Sequence, residues 1–173
     1  MTEFFGSNQL RPDPSQLSHA DFLARFGPVY EASPWVAEGV WPAVEDGGLD
    51  EPAALASAMR AEVDAAPRET QLALVRAHPQ LARRARMAQA SANEQSAAGL
   101  DQCSPDEFEA FQSFNAAYNA RFGFPFIMAV KGLTRADILA AFQARLANDP
   151  DTEFAAAIAQ IHRIAGFRLA DLT

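Results

Sequence analysis

A lone histidine at a helix break, Ala77-His78-Pro79-Gln80-Leu81-Ala82, is the first group in this chain whose type and setting suit chemistry. Proline disfavours helical dihedrals in the residue before it and donates no backbone hydrogen bond, so His78 is expected where a helix stops. There the imidazole meets the partly negative carbonyl end, which favours its protonated form, and imidazole titrates near neutral pH. That setting suits an acid or base; a helix-terminal histidine satisfied by a carbonyl or by water is the plainer alternative. Glu94 follows in Ser91-Ala92-Asn93-Glu94-Gln95. Ser91 and Glu94 have capping-box spacing, which would commit Glu94 to a backbone amide. The same geometry would also offer helix-end amides, Glu94 and Gln95 as a polar cradle for a ligand. Arg168 is the third group. Ile158, Ile161 and Ala165 follow a 3-4 spacing along the last helix, and the next step on that stripe is Arg168. A buried guanidinium must pair, and its planar fork suits a carboxylate or a ureido oxygen. A structural ion pair with an acid of the chain, or a snorkelling side chain near the helix end, satisfies the same demand.

Other conspicuous residues carry less. Trp35, Trp41 and the phenylalanines read as core. His162 falls one position after Ile161, off the apolar stripe, and is expected to face solvent. Ser91 and Cys103 lack the local surroundings of a nucleophile. With one cysteine and three histidines far apart, no zinc motif or other metal site is present in the pattern. The single cysteine excludes an internal disulfide and points to a reducing compartment. A net charge of -8 argues against nucleic acid as a partner, because phosphate binding needs a basic surface. The run Arg83, Arg84, Arg86 is either a small anion patch or a solvated helix face. No stretch reaches the ~18 apolar residues of a membrane span, which argues against a membrane partner. Residues 1–10 lack the pattern of a secretory signal, and the terminus Asp171-Leu172-Thr173 is not a peroxisomal address. The cytoplasm is the expected location.

The elements that must position these groups are almost all helical. Ser18 caps a helix through Phe26, and Ser33-Pro34 and Asp50-Glu51-Pro52 each place a cap and a first-turn proline before an apolar run. Pro67 opens the helix that runs into His78. Ser104 with Glu107 and Thr134 with Asp137 have capping-box spacing, and Gly123 ends the first of those helices. Asp149-Pro150-Asp151 resets the chain into a last helix reaching Leu169. Only Phe124-Pro125-Phe126-Ile127-Met128-Ala129-Val130 lacks helical punctuation and reads as a short buried extended segment. At 173 residues the pattern predicts one all-α domain of about eight helices over 16–173, with residues 1–15 loosely held.

Five blocks in one order now carry a resemblance. They are Tyr30-Glu31-Ala32-Ser33-Pro34-Trp35-Val36-Ala37, His78-Pro79-Gln80-Leu81-Ala82, and Ser91-Ala92-Asn93-Glu94-Gln95 with Gly99-Leu100. Asn115-Ala116-Ala117-Tyr118 with Arg121-Phe122-Gly123-Phe124-Pro125-Phe126, and Ile164-Ala165-Gly166-Phe167-Arg168-Leu169, complete the set. From about Phe22 to Leu169 the chain resembles the 2-oxo-4-hydroxy-4-carboxy-5-ureidoimidazoline (OHCU) decarboxylases. The resemblance implies an all-helical, cofactor-free carboxy-lyase acting on a small molecule in urate breakdown, usually a homodimer, that forms (S)-allantoin and CO2. It places the catalytic roles on His78, Glu94 and Arg168. It places substrate contacts on Pro79, Ser91, Ala92, Asn93, Glu94, Gln95, Phe126, Ile127, Met128, Ala129, Val130 and Arg168. Backbone groups near Ile127 and Ala129 are expected to be bare, because this segment is not helical. The three catalytic side chains are expected to converge on one cavity. No fused transthyretin-like hydrolase domain is expected. The rival readings are a non-catalytic helical binding module and a lyase or hydrolase for another ureido compound.

Overall fold

The start and stop signals of the sequence become helix boundaries in the computed structural model, which describes residues 8–82 and 89–173. Among the described residues the chain forms eight α-helices joined by 3-10 turns and loops, with no β-strand. This is the expected all-α class. Helix α1 (His19–Phe26) starts where the Ser18 hydroxyl accepts from the Asp21 amide. Helix α2 (Trp35–Glu45) starts after Pro34 with no side-chain cap, so Ser33 does not take the capping role expected of it. Helix α3 (Pro52–Ala65) has proline as its first residue, where the missing N–H has no intrahelical partner to lose. Helices α4 (Arg68–Ala77) and α5 (Gln89–Ala97) flank the turn that follows His78. Reciprocal capping boxes open α6 (Pro105–Phe122) and α7 (Arg135–Arg145), and Gly123 closes α6 at φ 74°. Helix α8 (Pro150–Ala170) is the last.

The chain divides into two compact units, Met1–Pro67 with His162–Thr173, and Arg68–Ile161. In the first, α2 packs on α1 and α3, and Phe22, Phe26, Val44, Leu55, Met59 and Val63 are buried. Leu10, within the segment expected to be loosely held, is buried as well, and its amide donates to the Asp50 carbonyl at 2.7 Å. In the second unit an aromatic cluster is built on α6. Tyr118 meets Phe122, Phe124, Phe126 and Phe142 at tilted or edge-on angles, and Phe126 stacks on Phe142 at 3.9 Å. Those rings hold residues 124–130 in place as the expected non-helical stretch, buried except at Met128. The Arg83, Arg84, Arg86 run lies outside the described residues.

Candidate active site

His78 follows the last residue of α4, as the proline behind it requires, and is 7% exposed. Its amide closes the helix on the Val75 carbonyl at 3.2 Å. The ring Nδ1 lies 3.1 Å from the Leu74 carbonyl. A carbonyl oxygen only accepts, so Nδ1 carries the hydrogen, and in the neutral ring the lone pair is therefore on Nε2. The helix end thus fixes both the tautomer and the plane of the imidazole.

Beyond His78, residues 79–82 turn sharply, with Ala82 in the left-handed region at φ 55°. Three carboxamides hold this turn. Gln95 accepts from the Ala82 amide at 3.0 Å and donates to the Gln80 carbonyl at 3.3 Å. Asn115 donates to the Leu81 carbonyl at 3.0 Å, and Gln112 donates to the Ala82 carbonyl at 3.4 Å. The Gln95 side chain, expected to meet substrate, is engaged with the backbone of the His78 turn. Ser91 and Gln95 are buried and Glu94 half-buried on α5. The capping-box expectation fails here. Helix α5 is already formed at Gln89, the first residue described after Ala82, so Ser91 and Glu94 lie inside it rather than at its cap. The punctuation misled because a Ser-x-x-Glu spacing recurs inside helices as well as at their starts.

The expectation of bare peptide groups near Ile127 and Ala129 is corrected for two of them. The Ile127 carbonyl accepts from Arg145 Nη1 at 2.6 Å, and the Ala129 amide donates to Gln160 Oε1 at 2.9 Å. A buried backbone group is costly to leave unsatisfied, and side chains from α7 and α8 supply what the absent helix does not. Arg145 is itself fixed by Glu153, whose carboxylate is fully buried and accepts from Arg145 Nε at 2.6 Å. The same carboxylate accepts from the Tyr118 hydroxyl at 2.6 Å and from Asn148 at 3.0 Å. Burial, and then the bond to Glu153, push the Tyr118 phenol far above its ordinary range, so it stays a donor. The sequence pattern does not single out Glu153, although it extends the buried Ala157 and Ile161 stripe of α8 backwards by one step of four. Its position in the first helical turn had an ordinary explanation in the helix dipole.

Arg168 belongs to the unit of Met1–Pro67 with His162–Thr173, and His78 and Glu94 belong to the other. Its Nη2 is 3.0 Å from Glu31, with side-chain exposures of 9% and 6%. Its Nη1 donates to the carbonyls of Pro28 and Val29 at 3.3 and 3.4 Å. The arginine on the apolar stripe therefore has the carboxylate partner that its burial demands. His162 does not face solvent as expected. It joins the Tyr30 hydroxyl at 2.8 Å through Nδ1 and Asp64 at 3.0 Å through Nε2. A carboxylate acceptor puts the hydrogen on Nε2, so the neutral ring takes the Tyr30 proton donor at Nδ1. Burial is the main cause holding this imidazole below its ordinary pKa, with Asp64 acting the other way.

An all-α chain with a buried, tautomer-fixed histidine at a helix end and a side-chain-supported extended segment matches a class of small helical enzymes. The model of one family, OHCU decarboxylase, matches residues 15–170, and the chain belongs to that family. A relative from Haloferax volcanii, 2-oxo-4-hydroxy-4-carboxy-5-ureidoimidazoline decarboxylase, is 44% identical over 91% of this chain and 92% of its own length. Among solved structures, an (S)-allantoin synthase is similar with TM-score 0.75 and 32% identity, covering 92% of this chain. This chain spans about half of that protein, 52%. An OHCU decarboxylase solved in the presence of (S)-allantoin is similar with TM-score 0.68 and 25% identity, over 83% of this chain and 94% of the other.

Proposed function

We propose that this chain decarboxylates OHCU to (S)-allantoin and CO2, with His78 as the proton-transfer group. The observation that carries the reading is the His78 ring, buried at the end of α4 with Nδ1–H donated to Leu74, which puts the lone pair of the neutral ring on Nε2. In the reaction the bond to the carboxyl carbon breaks and CO2 leaves. The electron pair passes into the adjacent imidazoline π system, and a proton delivered to one face of the ring sets the configuration. A ring that stabilises its own electron pair asks the protein for orientation and proton control, and positioned proton transfer contributes about 10²–10⁴-fold. Glu94 is assigned to ring or ureido N–H groups. Pro79, Ser91, Ala92, Asn93 and residues 126–130 are assigned to substrate contact, and Gln95, whose carboxamide holds the turn, to positioning His78. Arg168 is assigned to a ureido or carbonyl oxygen on the strength of its block alone.

We infer from the same resemblance that the enzyme works without a cofactor, as a homodimer, in the cytoplasm. The deciding experiment is circular dichroism of the products from freshly made OHCU, since unaided decay gives racemic allantoin. Wild-type protein should yield an excess of the S enantiomer, and His78→Asn should yield the racemate while keeping its helical spectrum. A racemic product from the wild type would refute the decarboxylase reading. An S excess undiminished in the variant would remove His78 from the proton transfer.

A further inference from the structure

Three neutral amides converge on the turn behind His78, and two of them, Gln112 and Asn115, have no assigned role. Between them, Gln95, Gln112 and Asn115 engage the Gln80, Leu81 and Ala82 carbonyls and the Ala82 amide. The turn needs holding. A non-glycine residue in the left-handed region is disfavoured by a Cβ clash with its own backbone and persists where neighbours over-determine it. Asn115 is the most buried of the holders. It is 3% exposed, and its Oδ1 is buried with no hydrogen-bond partner among the described residues. An orphaned buried acceptor is a cost, and a leucine of similar size would avoid it. What the amide supplies in return is one donor, aimed at the Leu81 carbonyl. A lysine or arginine could donate there too, but it would bring a charge close to a histidine that must exchange protons.

We propose that Asn115 is a positioning residue for catalysis: by holding the Leu81 carbonyl it keeps residues 79–82 in the turn that sets His78 and Pro79 against substrate. This rests on the decarboxylase reading above. Asn115→Leu retains the volume, removes the donor and removes the orphaned acceptor. It also strands the Leu81 carbonyl, a cost that offsets the orphan removed, so the melting temperature should stay close to the wild type, whereas kcat should fall about five- to thirtyfold, as for the loss of one or two hydrogen bonds from the turn. Exchange of the Ala82 amide proton, measured by NMR, should quicken in parallel. Ala82→Gly provides the rescue, because glycine adopts φ 55° without the Cβ penalty. The double variant should recover most of the lost kcat and slow the Ala82 exchange again. A merely structural role would lower stability in Asn115→Leu and would gain nothing from glycine at 82. Wild-type kcat in folded Asn115→Leu, or a double variant no better than the single, overturns the proposal. Asn115→Ala gives the same comparison if leucine prevents folding. A racemic wild-type product would sink the decarboxylase reading alone, since the exchange rates report on the turn independently of turnover. Unchanged Ala82 exchange in the variant would sink the clamp whatever the activity.

Discussion

Replacing Glu31 by glutamine tests what Arg168 is held by. The substitution keeps size and one acceptor oxygen but removes the charge facing a guanidinium in a pair with side-chain exposures of 9% and 6%. Breaking a buried ion pair from one side costs about 3–5 kcal/mol, because the remaining charge stays desolvated. Two features lower that figure here: the glutamine oxygen still accepts from Arg168, and the Pro28 and Val29 carbonyls continue to receive Nη1. A loss of about 2–3 kcal/mol is therefore expected. For a chain of this size that corresponds to a fall of about 4–12 °C in melting temperature. Urea denaturation of both proteins at pH 7.5, with the slope compared as well as the midpoint, measures it directly. A loss below about 0.5 kcal/mol would refute the reasoning, since it would mean that solvent screens the pair as at an open surface.

Arg145→Met should cost about 3–5 kcal/mol, since it strands the buried Glu153 carboxylate, and it should raise KM by freeing the Ile127 carbonyl; a urea midpoint equal to the wild type would contradict it. Arg168→Lys should impair turnover strongly, because one ammonium cannot span Glu31 and two carbonyls, and steady-state kinetics with unchanged kcat/KM would assign Arg168 to structure only. Burial lowers the His162 pKa from 6.5 in the folded protein. The unfolded chain therefore takes up its proton first as pH falls, so stability is full above 6.5 and declines below it. Urea midpoints at pH 7.5 and 5.5 should differ less in His162→Asn than in the wild type; equal differences would assign the pH dependence to other groups.

The helices were legible because their ends are written in local chemistry. Ser18, Ser104 and Thr134 with their acidic partners, Pro52 and Gly123 act within a turn of where they stand, and each boundary falls beside them. His78 at the end of α4 was legible for the same reason. Reading failed where a side chain serves a distant backbone. Nothing near Gln95 in the sequence says that its amide closes a turn thirteen residues earlier, and nothing near Arg145 names the Ile127 carbonyl. Arg168 and Glu153 both sit on apolar stripes of α8, and only the first stands out in the sequence, because an acid in an opening turn needs no further explanation. His162 shows the converse error. A position beside the apolar stripe is not an exposed one when Tyr30 and Asp64 reach across to it.

The Tyr118, Arg145 and Glu153 cluster restricts the order in which this lineage can drift. Tyr118→Phe leaves the carboxylate with Arg145 and Asn148, a step that a stable ancestor survives. Losing the arginine or the glutamate singly passes through a trough, while losing both at once avoids it, provided another donor meets the Ile127 carbonyl. Descendants should therefore keep these two charges together or shed them together, and the tyrosine hydroxyl is the member free to vanish first.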